Sequence, residues 1–400
     1  RKERASPTPN DQRYACADCA IMGDVMEPTD ATALRALAEA GDARSQYLFS
    51  QECYRNGDPQ GMAGWLERAA EQDLPEALDA LGYCLEKGFG VEPDHERAQR
   101  HYRRAAGQGS PQAAYRLAEL LYKTGSPREQ GPEICSFLQQ AVDGHNVTAL
   151  RTAGYLLASR PNRLHEGLML LRRAARLGDA ASCFALASLD TRARPGERRR
   201  WLDQAVANGY PLTSEAQRLL EHAVDSPAGR TASGHGDEAV RLDPSCLEPA
   251  VPDKLEWSEW HRAPSIWVAH DALTLPERAW LIHLASPFMR RAQVIEPDPR
   301  DPGRRTPGMQ SPVRTSESTF LPAPVTDLIA HHIDRKLARI TGIGLECSEP
   351  FSILHYRPGQ YYKPHVDYFD PSLPSADRLL RDGGPRVASA ICYLSGVDAG

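Results

Sequence analysis

The chain has 400 residues, 47 Lys+Arg against 53 Asp+Glu, and a formal net charge of −6. So small a bias argues against nucleic acid or an acidic membrane surface as the main partner, and 25% charged with 41% hydrophobic residues excludes wholesale disorder. No run of about 18 apolar residues occurs, which rules out a spanning helix, and the length suits two or three domains of roughly 150 residues each. The nine cysteines (16, 19, 53, 84, 135, 183, 246, 347 and 392) are odd in number and dispersed. Such a set is not a disulfide framework, and it points to a reducing, cytoplasmic compartment. Cys16 and Cys19 make one Cys-x-x-Cys with no helix pattern to carry a redox site.

In chain order, residues 1–29 are rich in Pro and Asp and predict a mobile segment. A pattern then recurs over residues 30–222: Trp65-Leu-Glu-Arg-Ala-Ala-Glu-Gln-Asp73, His101-Tyr-Arg-Arg-Ala-Ala-Gly-Gln-Gly109, Phe137-Leu-Gln-Gln-Ala-Val-Asp-Gly-His145, Leu170-Leu-Arg-Arg-Ala-Ala-Arg-Leu-Gly178 and Trp201-Leu-Asp-Gln-Ala-Val-Ala-Asn-Gly209. The starts lie 36, 36, 33 and 31 residues apart. A weaker copy precedes them at Leu37-Ala-Glu-Ala-Gly41. A large apolar residue followed four and five positions later by two small ones makes a helix with a thin face. A closing Gly is the left-handed stop such a helix needs. Four residues beyond each closing position comes another small side chain (Ala77, Ala113, Ala149, Ser182, Thr213), which lets the next helix approach closely. No unit can bury enough apolar surface alone, so neighbours must stack into an α-solenoid. With the Gly88-Phe-Gly-Val-Glu-Pro-Asp94 loop between its helices, the unit at 77–112 resembles the Sel-one-like repeat, a relative of the tetratricopeptide class. The resemblance implies a scaffold for protein or peptide partners; a solenoid serving only as a spacer is the blander alternative.

Residues 223–262 are dominated by Ser, Pro, Gly and Asp and read as a linker. Beyond it, Ile266-Trp-Val-Ala-His predicts a short strand, and Leu275 to about Ser286 a helix with Pro276 in its first turn. Glu296 to Pro312 is too polar to pack and predicts a mobile loop. Val325–Thr341 predicts a second amphipathic helix. Phe351–Tyr356, Pro364–Tyr368 and Arg386–Leu394 predict strands.

One string in this half carries chemistry: Tyr356-Arg-Pro-Gly-Gln-Tyr-Tyr-Lys-Pro-His-Val-Asp367. On a strand, His365 and Asp367 share a face, so an imidazole nitrogen and a carboxylate oxygen can converge on one cation, as in two-thirds of a 2-His-1-carboxylate iron centre. Alone, His-x-Asp is as readily a surface pair. Taken with Arg314-Thr-Ser-Glu-Ser-Thr-Phe-Leu321 before it and Gly384-Pro-Arg386 leading to Tyr393-Leu394 after it, residues 263–400 resemble the prolyl 4-hydroxylase branch of the Fe(II)/2-oxoglutarate-dependent dioxygenases.

The resemblance implies His365 and Asp367 as iron ligands, Tyr356 as a hydrogen-bond partner of the cosubstrate 2-oxoglutarate, Tyr362 as lining the substrate site, and Arg386 beside the substrate. It also implies ascorbate as reductant and O2 as co-reactant. As structural alternatives, the two tyrosines are barrel-wall aromatics and Arg386 pairs with a surface carboxylate. His355 alternates to the face opposite Tyr356, and His331 and His332 lie on a helix, so all three read as structural. No histidine follows Asp367. A second ligand histidine and a 2-oxoglutarate-clamping Lys or Arg are therefore expected beyond Gly400, as for a fragment that is inactive as it stands. The expected architecture is multidomain α + β: an N-terminal helical-repeat solenoid, then an incomplete double-stranded β-helix (jelly-roll) with flanking helices. The expected function is peptidyl hydroxylation, with proline the suggested target. A repeat scaffold whose oxygenase half is dead is the competing reading.

Overall fold

The computed structural model describes residues 31–190, 193, 195–210, 240–251, 255–262, 265–292, 294–298, 301–309, 314–321, 326–364 and 388–394. They divide into two compact units, one ending at Asp179 but including residues 240–248, the other made of the described residues from Ala180 and from Pro249 onward.

The first unit is helical: α1 (Ala31–Glu39), α2 (Ala43–Arg55), α3 (Pro59–Glu71), α4 (Pro75–Lys87), α5 (His95–Gly107), α6 (Pro111–Thr124), α7 (Pro127–Asp143), α8 (Val147–Ala158) and α9 (Leu164–Arg176). The pairs α2/α3, α4/α5, α6/α7 and α8/α9 pack most extensively. Each sequence repeat lies on the second helix of a pair, and its paired small residues (Ala69-Ala70, Ala105-Ala106, Ala174-Ala175) are buried. So are Ala77, Ala113 and Ala149 at the start of the next helix. The closing column behaves as one: Gly41, Gly109 and Gly178 have φ of +100°, +90° and +93°, and where the sequence has Asp73 and His145 instead, φ is still +59° and +57°. The stacking geometry imposes the left-handed turn even on residues with a Cβ, which tolerate it at some cost.

A second column ties units together. The residue just before the paired small ones reaches back to a helix-end carbonyl of the preceding unit: Arg104 Nη2 donates to Ala70 O (3.1 Å), Gln140 Nε2 to Ala106 O (2.6 Å) and Arg173 Nη2 to Val142 O (3.3 Å). Such bonds satisfy carbonyls that a helix terminus leaves open. Deeper in, Arg116 on α6 donates to Asp79 on α4 (2.9 Å), both nearly buried, with its guanidinium 5.0 Å from the Tyr83 ring centre. Burial pushes the Asp79 carboxyl up against the pull of Arg116.

The second unit contains α10 (Ala180–Leu189), α11 (Pro195–Ala207), α12 (Leu275–Ala285) and α13 (Leu328–Thr341). The rings of Phe184, Tyr210 and His283 stack in series at 4.5 and 4.7 Å, joining the repeat-like α10 to α12. Helices α12 and α13 are locked by a buried pair, with Lys336 Nζ 2.7 Å from Glu277 Oε2, and by Trp280 Nε1 donating to Asp327 Oδ1 (3.1 Å). Glu277 also closes a capping box with Thr274, and Asp327 caps α13 through the Ala330 N–H.

Among the described residues the strands form three small antiparallel sheets: β1 (Trp257–Arg262) with β2 (Ser265–Ala269), β4 (Val294–Asp298) with β5 (Asp301–Met309), and β3 (Arg290–Arg291), β6 (Glu317–Phe320) and β7 (Ser352–His355) in the order β3-β6-β7. The β4/β5 ladder corrects the expected loop at 296–312. Strand pairing is made by backbone groups, so a polar and Pro-rich composition did not exclude it. Residues 388–394, expected to lie in a strand, form none; β-branched and aromatic residues favour a ladder but do not supply one. The second helix begins at Leu328, three residues later than expected. Among the described residues no helix is long and apolar enough to cross a membrane.

Candidate active site

The Tyr356–Tyr362 segment is built on the β6/β7 ladder. Glu317 pairs with His355, Ser318 with Leu354, Thr319 with Ile353 and Phe320 with Ser352. After His355 the chain makes a tight turn at Arg357-Pro358-Gly359-Gln360, with the Gln360 N–H donating to Arg357 O (2.9 Å) and Gly359 at φ +82°. Proline at the second position and a positive-φ glycine at the third are the requirements of a type II turn. Gln360 reinforces it by accepting from the Arg357 N–H at Oε1 (2.8 Å). Contact with the 314–317 segment then resumes. The Thr315 N–H donates to Tyr361 O (3.0 Å), the Tyr361 N–H donates to Thr315 Oγ1 (2.9 Å), and Arg314 bridges Tyr362. Tyr356 and Tyr362 therefore stand on either side of one turn, both beside the Arg314–Glu317 strand entry.

Side chains fix this geometry further. The Arg314 guanidinium lies 4.8 Å from the Tyr362 ring centre, within cation–π range, and its Nε donates to Ser316 Oγ (3.1 Å). Glu317 Oε2 is 3.1 Å from His355 Nδ1, and Arg357 Nη2 is 3.0 Å from Glu317 Oε1. The His355 hydrogen bond, followed by Arg357, holds the Glu317 carboxyl below the ordinary carboxylate value. Residues flanking Tyr356 are thus gripped by one acid, while Tyr356 itself is exposed along with Phe320 and Leu354.

Of the predicted site residues, Tyr356 directly follows β7 and Tyr362 bridges Arg314 just before β6. His365, Asp367 and Arg386 lie outside the described residues. His355 contacts Glu317, as fits a structural role, and His332 is buried in α13. Among the described residues there is no group of three His, Cys, Asp or Glu that could hold a metal ion. The residue types at 365 and 367, an imidazole and a carboxylate two apart in the sequence, are donors that iron accepts, and the Tyr362 bridge ends three residues before His365. Glu317 and Arg357 had no role in the sequence reading. Their partners are 38 and 40 residues away along the chain, and no spacing announces such a contact.

Comparison with known proteins separates the two halves. The Sel1 repeat family model matches residues 63–74, 75–110, 111–133 and 158–179. The C-terminal part is similar to prolyl 4-hydroxylases. "Probable prolyl 4-hydroxylase 10" of Arabidopsis thaliana is 32% identical over 178 residues, covering 44% of this chain and 57% of that protein. "Prolyl 4-hydroxylase 5" of the same plant is 36% identical over 138 residues, 34% of this chain and 43% of that one. "Prolyl 4-hydroxylase subunit alpha-1" of Rattus norvegicus is 31% identical over 150 residues, 38% and 26% respectively. The chain thus spans little more than half the length of the first of these relatives. Among solved structures, a Sel1 repeat protein from Oxalobacter formigenes aligns at 21% identity and a TM-score of 0.39, covering 54% of this chain and 95% of that one. YrrB, described as a TPR protein with an unusual peptide-binding site, aligns at 18% and 0.31, covering 48% and 98%.

Proposed function

We propose that the chain is a repeat-bearing Fe(II)- and 2-oxoglutarate-dependent dioxygenase that hydroxylates a peptidyl substrate, with proline the favoured side chain. The observation that carries this reading is the His365-Val-Asp367 string, three residues past Tyr362, in a C-terminal part whose relatives are prolyl 4-hydroxylases at 31–36% identity. The fold that goes with it is of the jelly-roll class in 263–400, with 30–222 as the repeats and 223–262 between them, where 240–248 dock on the first unit and 257–262 pair with 265–269.

His365 and Asp367 would hold the iron. Bound iron with 2-oxoglutarate and O2 supplies oxidative decarboxylation coupled to C–H hydroxylation, releasing succinate and CO2, with ascorbate as reductant. The chain's own residues hold and orient. Tyr356 offers a phenolic O–H to a cosubstrate carboxylate from an exposed position between the anchored His355 and Arg357. Tyr362, its ring held by Arg314, presents an aromatic wall to the substrate, and Arg386 supplies a cation beside it. The Sel1 repeats recruit the protein or peptide that carries the target side chain. A reducing, cytoplasmic setting belongs to the same proposal and rests on the nine dispersed cysteines.

The test is Fe(II)-dependent succinate formation by the protein. Turnover is expected to disappear in His365→Ala and Asp367→Ala. If both variants keep it, the ligand assignment fails. If the unmutated protein binds Fe(II) and 2-oxoglutarate without ever forming succinate, the inactive-scaffold reading replaces this one. Mass spectrometry of recruited partners, looking for a gain of one oxygen on proline, decides the target side chain.

A further inference from the structure

Residues 240–248 belong to the stretch that reads as a linker, yet they lie as a strap on the first unit. Val240, Cys246 and Leu247 are buried. Gln139 Oε1 accepts from the Leu242 N–H (2.9 Å), and the Tyr122 hydroxyl donates to Leu247 O (3.2 Å). Arg160 donates to the carbonyls of Ser245 and Glu248, while Arg163 meets Asp243 and the Arg241 carbonyl at 2.5 Å each. Gly131 on α7 leaves the space the strap needs, because a Cβ there would sit 3.1 Å from Pro244. This docking brings two sulfurs together: Cys135 Sγ on α7 and Cys246 Sγ in the Pro244–Leu247 turn are 4.0 Å apart, across 111 residues of sequence.

Two buried thiols can be mere packing. Here the second thiol is carried on a strap that arginines 160 and 163 bind through its backbone and Asp243, which sets cationic groups close to the pair. The hydrogen bond with Cys135, aided by Arg163 and Arg160, holds the Cys246 thiol below its ordinary value against burial and Asp243. The Cys135 thiol is pushed up by the same bond and by burial. Cys246 rides on the strap whose backbone and Asp243 are held by Arg160 and Arg163, so it is the sulfur that opening of the strap presents, and it takes the nucleophile's role.

We propose that Cys135 and Cys246 are a redox-active dithiol, oxidised by a hydroperoxide to a disulfide that clamps residues 240–248 onto the solenoid. In the first step the Cys246 sulfur attacks the peroxide: an S–O bond forms, the O–O bond breaks, and the departing oxygen leaves as water or alcohol with the thiol proton. Cys135 then attacks the resulting sulfenic acid: the S–S bond forms, the S–O bond breaks, and the hydroxyl leaves as water with the Cys135 proton. Two thiols lose two electrons and two protons, and the peroxide is reduced by the same two electrons. Because both sulfurs are buried, the oxidant enters when the strap opens locally. Closing from 4.0 Å to the roughly 2 Å of a disulfide then moves the strap, which is held by one short turn and side-chain contacts, rather than the helix. A thiol reductant returns the strap to its releasable state.

Peroxide treatment of the full chain, alkylation, and non-reduced peptide mapping by mass spectrometry test this directly. The expected product is one cross-linked peptide joining Cys135 to Cys246, removed by dithiothreitol. It should be accompanied by a rise of roughly 10–20 °C in the melting temperature of the solenoid unit, as for a disulfide closing a loop of this length. Cys246→Ser should abolish both. Cys135→Ala should instead stop at a Cys246 sulfenic acid that a cyclic 1,3-diketone traps. The proposal is overturned if both thiols are recovered alkylated at a peroxide dose that oxidises the exposed Cys347. Cross-links scattered among other cysteines would overturn it equally.

Discussion

The solenoid and the sheet-bearing unit solve the burial problem in different ways. In the first, every helix finds its partner within a few dozen residues. The small-residue columns are fully covered, and the same side-chain-to-carbonyl bond recurs from unit to unit. In the second, short strands pair in twos and threes, and large rings stay in solvent: Trp260 is 75% exposed, Phe320 58% and Trp267 55%. A repeat array satisfies itself by nearest neighbours, whereas a sheet face needs a second layer supplied from elsewhere in the chain. Among the described residues each unit nevertheless contains a buried ion pair, Arg116–Asp79 and Lys336–Glu277, and those pairs give the sharpest way to compare them.

Removing one partner strands the other charge in a low-dielectric site, at a cost of about 3–5 kcal/mol. Asp79→Ala should therefore lower the denaturant midpoint of the solenoid, and Lys336→Met that of the α12/α13 pair. Hydrogen exchange resolves the two regions. If the units are energetically separate, each substitution loosens amides only in its own unit; loss of protection in both from either one would break the comparison. Gly82→Ala comes next. Its new Cβ would stand 2.6 Å from the Tyr102 ring, which is fully buried and cannot yield, so overpacking should cost about 1–3 kcal/mol in urea unfolding. The smallest effect has the opposite sign. Asp73→Gly and His145→Gly relieve residues held at positive φ, and each should stabilise the solenoid by up to about 1 kcal/mol. A destabilisation at both sites would mean that these side chains contribute more than the strain they carry.

Legibility followed the same division. The closing column at 41, 73, 109, 145, 178 and 209 could be read from spacing alone, including the positions where Asp73 and His145 replace glycine, because a stacked repeat makes each unit a template for the next. The Arg/Gln column at 104, 140 and 173 was equally visible in the repeat, but its role was not, since a side chain's partner is not printed in its own unit. In the second unit the helices at 275–285 and 328–341 were legible from capping and periodicity. The β4/β5 ladder was not, because backbone pairing leaves little trace in so polar a stretch. The tyrosines at 356 and 362 were identified by their string. That Glu317 secures His355 and Arg357, and Arg314 the Tyr362 ring, depends on a β6/β7 register that no local pattern encodes.

What the sequence determined by itself was the set of local decisions: where helices stop, which faces are small, and which string carries an imidazole and a carboxylate two apart. These depend on neighbours within a turn or a repeat, so composition and spacing suffice. The tertiary structure decided which distant groups meet. It seated residues 240–248 on the solenoid and brought Cys135 within 4.0 Å of Cys246. Nine scattered cysteines gave no hint of that contact. Its physical cause is the docking of the strap, with arginines 160 and 163 binding its backbone, which is a matter of three-dimensional fit and not of sequence period.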